Sequence, residues 1–190
     1  GFHGLGIVLE ETGRTLAASP LVASILVSAS AVTLGGNETQ KKQLLPKMAE
    51  GTVLMALALD ETAHFSPHRI ATRAESSAGS YKINGAKVFV LDGHIADTLI
   101  VATRTSGNTH DRQGITLFLV DRAAAGVEVT RTQMVDSRNA AKITFTNVSV
   151  EASAILGELD RGADILDPVL DRAALGMAAE MLGASLEIFE

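Results

Sequence analysis

Apolar residues along this chain recur first at helical spacing, then at strand spacing, and then at helical spacing again. Leu5, Leu9, Thr12 and Leu16 fall on one helical face. No charge occurs between Arg14 and Glu38, a run long enough to span a bilayer. However, Ser19, Ser24, Ser28, Ser30 and Thr33 lie among small alanines, with Pro20 near the start, so the run reads as a buried helix of a soluble bundle and not as a membrane span. Asn37 followed by Gln40 has the form of an N-cap with a glutamine reaching back, and the helix it starts is expected to end at Gly51.

From Leu54 the period becomes that of strands. Expected strands run from Leu54 to Leu59, Ile70 to Arg73, Tyr81 to Ile83, Lys87 to Leu91, Thr98 to Thr103, Ile115 to Val120, Val127 to Thr130 and Lys142 to Phe145. The stretch SYKINGAKVFVLDGHIAD at 80–97 is the clearest, with Asn84-Gly85 and Asp92-Gly93 both suited to tight turns. From Gly162 the helical pattern returns, with Leu166, Leu170, Ala174, Met177 and Met181 on one face and no capping residue by Glu190. That open period reads as a helix whose packing partners lie outside this chain. The expected fold class is α+β: an antiparallel β-barrel or sandwich at 53–157, flanked by helical segments at 1–52 and 158–190.

Composition narrows the functional classes. With 190 residues, 46% hydrophobic and 20% charged, the chain is an ordinary globular sequence. A net charge of -6 with no cluster of Lys and Arg argues against nucleic-acid binding. The absence of cysteine excludes disulfides and thiolate zinc sites and is compatible with a cytoplasmic location; no signal peptide is visible at Gly1. His64 and His68 have a metal-binding spacing, but Ser66 and Pro67 between them break the helix that would align them. No glycine-rich phosphate loop and no Gly-x-Ser-x-Gly elbow is present.

The runs QKKQLLP at 40–46, SYKINGAKVFVLDGHIAD at 80–97, GITLFLVD at 114–121 and FTNVSV at 145–150 resemble the acyl-CoA dehydrogenase family of flavoenzymes, and the resemblance extends along the whole chain. It implies the end of an N-terminal helical domain, a complete middle β domain and the first helix of a C-terminal helical domain. It further implies FAD as cofactor, an acyl-CoA substrate, electron-transfer flavoprotein as electron acceptor, and a homo- or heterotetramer.

The resemblance also assigns residues. The family's Thr-Glu-Pro-x-x-Gly-Ser-Asp flavin loop matches Asp60 to Pro67, where Glu61 and Ser66 agree, while Thr62, Phe65 and Pro67 stand in place of Pro, Gly and Asp. With Leu59 just before it, this loop supplies Leu59, Glu61 and Ser66 as cofactor contacts, and Ser66 also as a substrate contact. Phe89 takes the place of the aromatic that shields one flavin face. Leu91 stands where a Thr or Ser would donate a hydrogen bond and can offer only its backbone N–H. Asp171 precedes an Arg at the position that a minority of the family use for the catalytic base, and Arg172 is implied as a substrate contact; in most members the base lies beyond Glu190. Two readings follow. One is an FAD-dependent α,β-dehydrogenase of acyl-CoA thioesters; the other is a non-catalytic structural subunit whose flavin motifs have decayed.

Overall fold

The computed structural model describes residues 1–136 and 138–189; the last position of the expected C-terminal helix, Glu190, lies outside them. Helix α1 (Phe2–Arg14) is followed by a π-helical segment (Leu21–Ser28) that runs into α2 (Ala29–Gly35). Leu16 does not continue the α1 face: it lies past the helix end with a positive φ of 48° and is exposed. Two of the buried serines of the uncharged run, Ser24 and Ser28, bond backbone groups. Ser28 donates to the Ala23 carbonyl at 2.7 Å, and Ser24 accepts from the Met55 N–H at 3.3 Å, so polar side chains in an apolar segment join helix to sheet. Among the described residues no helix is long and apolar enough to cross a membrane. Helix α3 (Glu38–Ala49) opens on the expected capping box, with Asn37 and Gln40 each bonding the other's backbone N–H.

The strands are β1 (Met55–Ala58), β2 (Arg73–Ser77), β3 (Ser80–Leu91), β4 (Thr98–Arg104), β5 (Ile115–Asp121), β6 (Val127–Gln133), β7 (Asn139–Glu151) and β8 (Ile155–Leu156). They form one sheet of order β6-β7-β3-β2-β4-β5-β8, with β1 paired to β4. Most neighbours are antiparallel, but β1 and β2 both run parallel to β4. The sheet curls on itself, because Tyr81 on β3 and Phe118 on β5 stack with ring centroids 5.0 Å apart although two strands separate them in the order.

Two of the expected strands are one. Asn84-Gly85 is not a hairpin turn: β3 passes through it, with a register shift against β7 and Gly85 at φ +148°. A Cβ there would collide with Thr72, so close packing is what requires the glycine. The hairpin turn sits at Ala78 and Gly79, both at positive φ, which pairs β2 with β3.

Strands β4 and β5 are buried on both faces. Ile100, Ala102, Ile115 and Leu117 pack with α2 and the start of α4 (Ala163–Phe189), while Leu99, Val101, Phe118 and Val120 fill the inside of the curled sheet. That double burial makes them near-continuous apolar runs in sequence. Helix α4 does have a packing partner in this chain. Its buried residues beyond the first turns are Val169, Gly176, Glu180 and Gly183. A Cβ on Gly183 would strike the Glu10 carbonyl, and one on Gly13 the Glu180 carbonyl. The two helices therefore touch backbone to backbone through glycines, while Ala174 and Met181 of the expected apolar face are exposed.

Candidate functional site

The site begins with an irregularity in β3. Lys87 and Val90 both point inward, three residues apart, because the β3–β7 register shifts between them. In a regular strand Lys87, Phe89 and Leu91 would share a face. The bulge, with Phe89 at φ 52°, turns Phe89 and Leu91 outward instead, where they are 41% and 38% exposed. A positive φ on an aromatic residue is strained, and here the strain presents two apolar side chains at the surface.

Beneath this bulge lies a buried ion pair. Lys87 is fully buried; its Nζ donates to Glu61 Oε1 at 2.8 Å and to the Leu59 carbonyl at 3.0 Å. Glu61 also accepts from the N–H groups of Ala71 and Thr72 at 2.7 and 2.8 Å. Burial pulls Lys87 down to about 8, with Glu61 opposing the shift. Burial alone would raise Glu61, but Lys87 and the two N–H donors outweigh it and hold the carboxyl below its usual range. The Asp60 carbonyl accepts from the Val88 N–H at 2.8 Å. Leu59, Asp60 and Glu61 are thereby fastened to β3, a link between residues 26 apart that sequence reading missed. An inward Lys in an apolar strand was the available signal.

The rest of the loop turns outward. Phe65 is 69% exposed. Ser66 is exposed, and its carbonyl accepts from Arg69. Further on, buried Arg104 donates to the carbonyls of Ile70, His68, Thr109, Asp111 and Gln113, tying this loop to the one at 108–113. From these two loops His68 and Arg112 both reach Asp167 on α4, each at 2.7 Å. Burial would raise Asp167, but His68 and Arg112 prevail and lower it. Among the described residues no cluster fit to hold a metal is present, and His68 is engaged with Asp167.

Leu91 lies on the lip of a cleft of about 480 Å³ between the sheet and α4. Leu16, Val22, Met177 and Met181 give it an apolar side, and Asp92, Arg138, Asn139 and Glu180 a polar one. Burial raises the Asp92 carboxyl. Glu180 is 5% exposed and pairs with Arg138 through Oε1, but its Oε2 is buried with no hydrogen-bond partner among the described residues. The structure therefore brings Leu59, Glu61, Phe89 and Leu91 into one region. It leaves Ser66 on the outer loop. Asp171 is exposed on α4, nine residues from Glu180 and thus on the opposite side of the helix at about 100° per residue. Arg172 lies over the Phe2 ring, 5.7 Å from its centroid, and does not line the cleft. Sequence reading missed Lys87, Arg138 and Glu180.

Comparison with known proteins accounts for this arrangement. Residues 1–52 match the acyl-CoA dehydrogenase N-terminal domain and residues 56–148 the acyl-CoA dehydrogenase middle domain. A short-chain specific acyl-CoA dehydrogenase of Megasphaera elsdenii is 31% identical over 186 residues, covering 93% of this chain and 48% of that protein. The solved structure of butyryl-CoA dehydrogenase from Megasphaera elsdenii superimposes with a TM-score of 0.86 at 26% identity, covering 98% of this chain and 49% of its own. A glutaryl-CoA dehydrogenase from Mycobacterium smegmatis, solved in complex with FADH2, gives a TM-score of 0.78 at 26% identity over 87% of this chain and 42% of its own. The chain spans about half the length of the curated relatives it matches. With two successive domains of one family matched across most of its length, and the fold shared throughout, this chain belongs to the acyl-CoA dehydrogenase family.

Proposed function

We propose that this chain forms the β-domain wall of an FAD-dependent site that dehydrogenates acyl-CoA thioesters between the α and β carbons. The observation that carries the proposal is the strained bulge at Phe89, which turns Phe89 and Leu91 outward and sets Leu91 on the lip of the cleft. The residues present suit a flat aromatic group. Phe89 offers a ring face for packing, and Leu91 offers apolar surface that excludes water. When bound, FAD would supply the acceptor for the β-hydrogen, which leaves as hydride while a carboxylate removes the α-proton. The Glu61–Lys87 pair acts indirectly, fixing Leu59 and Asp60 against β3 so that the loop keeps its distance from the bulge. Asp171, on the face of α4 away from Glu180, is the weaker candidate for the α-proton base, and a carboxylate outside residues 1–190 the stronger. Electron-transfer flavoprotein as acceptor and a homo- or heterotetrameric assembly, both implied by the family, belong to this reading.

One observation favours the structural-subunit reading: Leu91 offers no side-chain donor to a flavin. A single preparation separates the two. The intact protein, produced alone, is expected to be yellow and to bleach on addition of a saturated acyl-CoA. A colourless protein that becomes yellow only with a second dehydrogenase subunit would establish the structural role instead.

A further inference from the structure

Buried carboxylates need partners for both oxygens, and Glu180 has one for only one of them. Its Oε1 pairs with Arg138, while Oε2 is buried without a partner among the described residues, on the wall of the cleft that also carries Leu91, Met177 and Met181. A carboxylate oxygen withdrawn from water and left unbonded is costly, and a ligand that brings a donor relieves the cost. Desolvation selects the donor. Asp92 and Asp136 line the cleft as well, but an ammonium would have to be stripped of its water against the apolar side, whereas a hydroxyl supplies the missing hydrogen bond without bringing in a charge. The apolar side of the cleft, Leu16, Val22, Met177 and Met181, suits an aliphatic chain.

We propose that Glu180 Oε2 accepts a hydrogen bond from a hydroxyl on the acyl tail, so that the cleft selects hydroxylated acyl-CoA thioesters over their plain counterparts. This rests on the acyl-CoA reading above and narrows it to a substrate class. Glu180 is then a specificity-determining residue, set by Arg138 and by the close crossing of α1 and α4 at Gly13.

The test is calorimetric titration of the intact, flavin-loaded protein with butyryl-, octanoyl- and palmitoyl-CoA and with the terminally hydroxylated form of each. In at least one pair the hydroxylated thioester is expected to bind about tenfold more tightly, the usual effect of a hydrogen bond to a charged group. Glu180→Met should bring that ratio to about one. Glu180→Gln, which keeps an acceptor oxygen, should retain part of the preference, and it decides the matter alone if the Met variant does not fold. Equal affinity within all three pairs, or a preference unchanged in Glu180→Gln and Glu180→Met, overturns the inference and leaves the dehydrogenase reading standing. Failure to bind any thioester removes both.

Discussion

Two carboxylates in this molecule, one largely and one fully withdrawn from solvent, are paired with cations and behave differently. Glu61, under the β3 bulge, has Oε1 bonded to Lys87 and the Thr72 N–H, and Oε2 to the Ala71 N–H. Glu180, on α4, has Oε1 on Arg138 and, among the described residues, no partner on Oε2. Lys87 is wholly buried, whereas the Arg138 side chain is 37% exposed. The first pair is closed and holds a loop in place. The second is open on the side of a cleft. Burial of charge therefore does not by itself mark a ligand site; incomplete satisfaction of the buried group beside a cavity does.

The sharpest way to break this contrast is to remove the closed pair's cation. Lys87→Met leaves Glu61 with its two N–H donors but no countercharge, and should cost about 3 kcal/mol in urea denaturation. The wild-type pH dependence tests the same pair. Below about pH 8 the folded and unfolded chains both carry the Lys87 proton. Between about pH 8 and the ordinary lysine value of 10.5 the unfolded chain binds the extra proton, so the Lys87 contribution to stability rises with pH in that window. Lys87→Met should remove that rise. Glu61 acts at the other end: its lowered carboxyl contributes stability at neutral pH that is lost as pH falls through its folded value.

Next in size is the helix crossing that carries the open pair. Gly183→Val would force a side chain onto the Glu10 backbone and push α1 from α4, at a cost of about 2 kcal/mol in the same measurement. The displacement should loosen the Arg138–Glu180 contact and leave the pH 8–10.5 rise of Lys87 intact, since that pair joins β3 to the loop after β1 and not to α1 or α4.

What sequence could show of all this follows the range of each interaction. The Asn37–Gln40 capping box and the Asp92–Gly93 turn are built within a few residues, and both are present as expected. The strand-rich middle and flanking helices were legible from periodicity and from the family resemblance. Gly85 was misread because a turn glycine and a glycine pressed against Thr72 look alike in one dimension. The buried face of α4 was legible in part: Leu166, Leu170 and Met177 pack on the core as expected, but other contact residues are Gly176 and Gly183, which add nothing to an apolar pattern. The Phe89 bulge, the partner of Lys87 and the setting of Glu180 each depend on segments distant in sequence, so no local rule reveals them, although a Lys within an apolar strand signals that a partner is needed.

The smallest effect is expected at Asp171, and it tests which side of α4 faces the chemistry. Asp171 is exposed, has no ion pair among the described residues, and stands half a helical turn around from Glu180. Asp171→Asn keeps the side-chain volume and removes only the charge, so stability should change by less than about 0.5 kcal/mol. If the face bearing Glu180 is the functional one, kcat with an acyl-CoA substrate should change less than about twofold, since a surface charge at that distance is screened. A loss of about a thousandfold, of the size expected when a general base is removed, with stability unchanged and Glu180→Gln still active, would place the reaction on the opposite side of the helix.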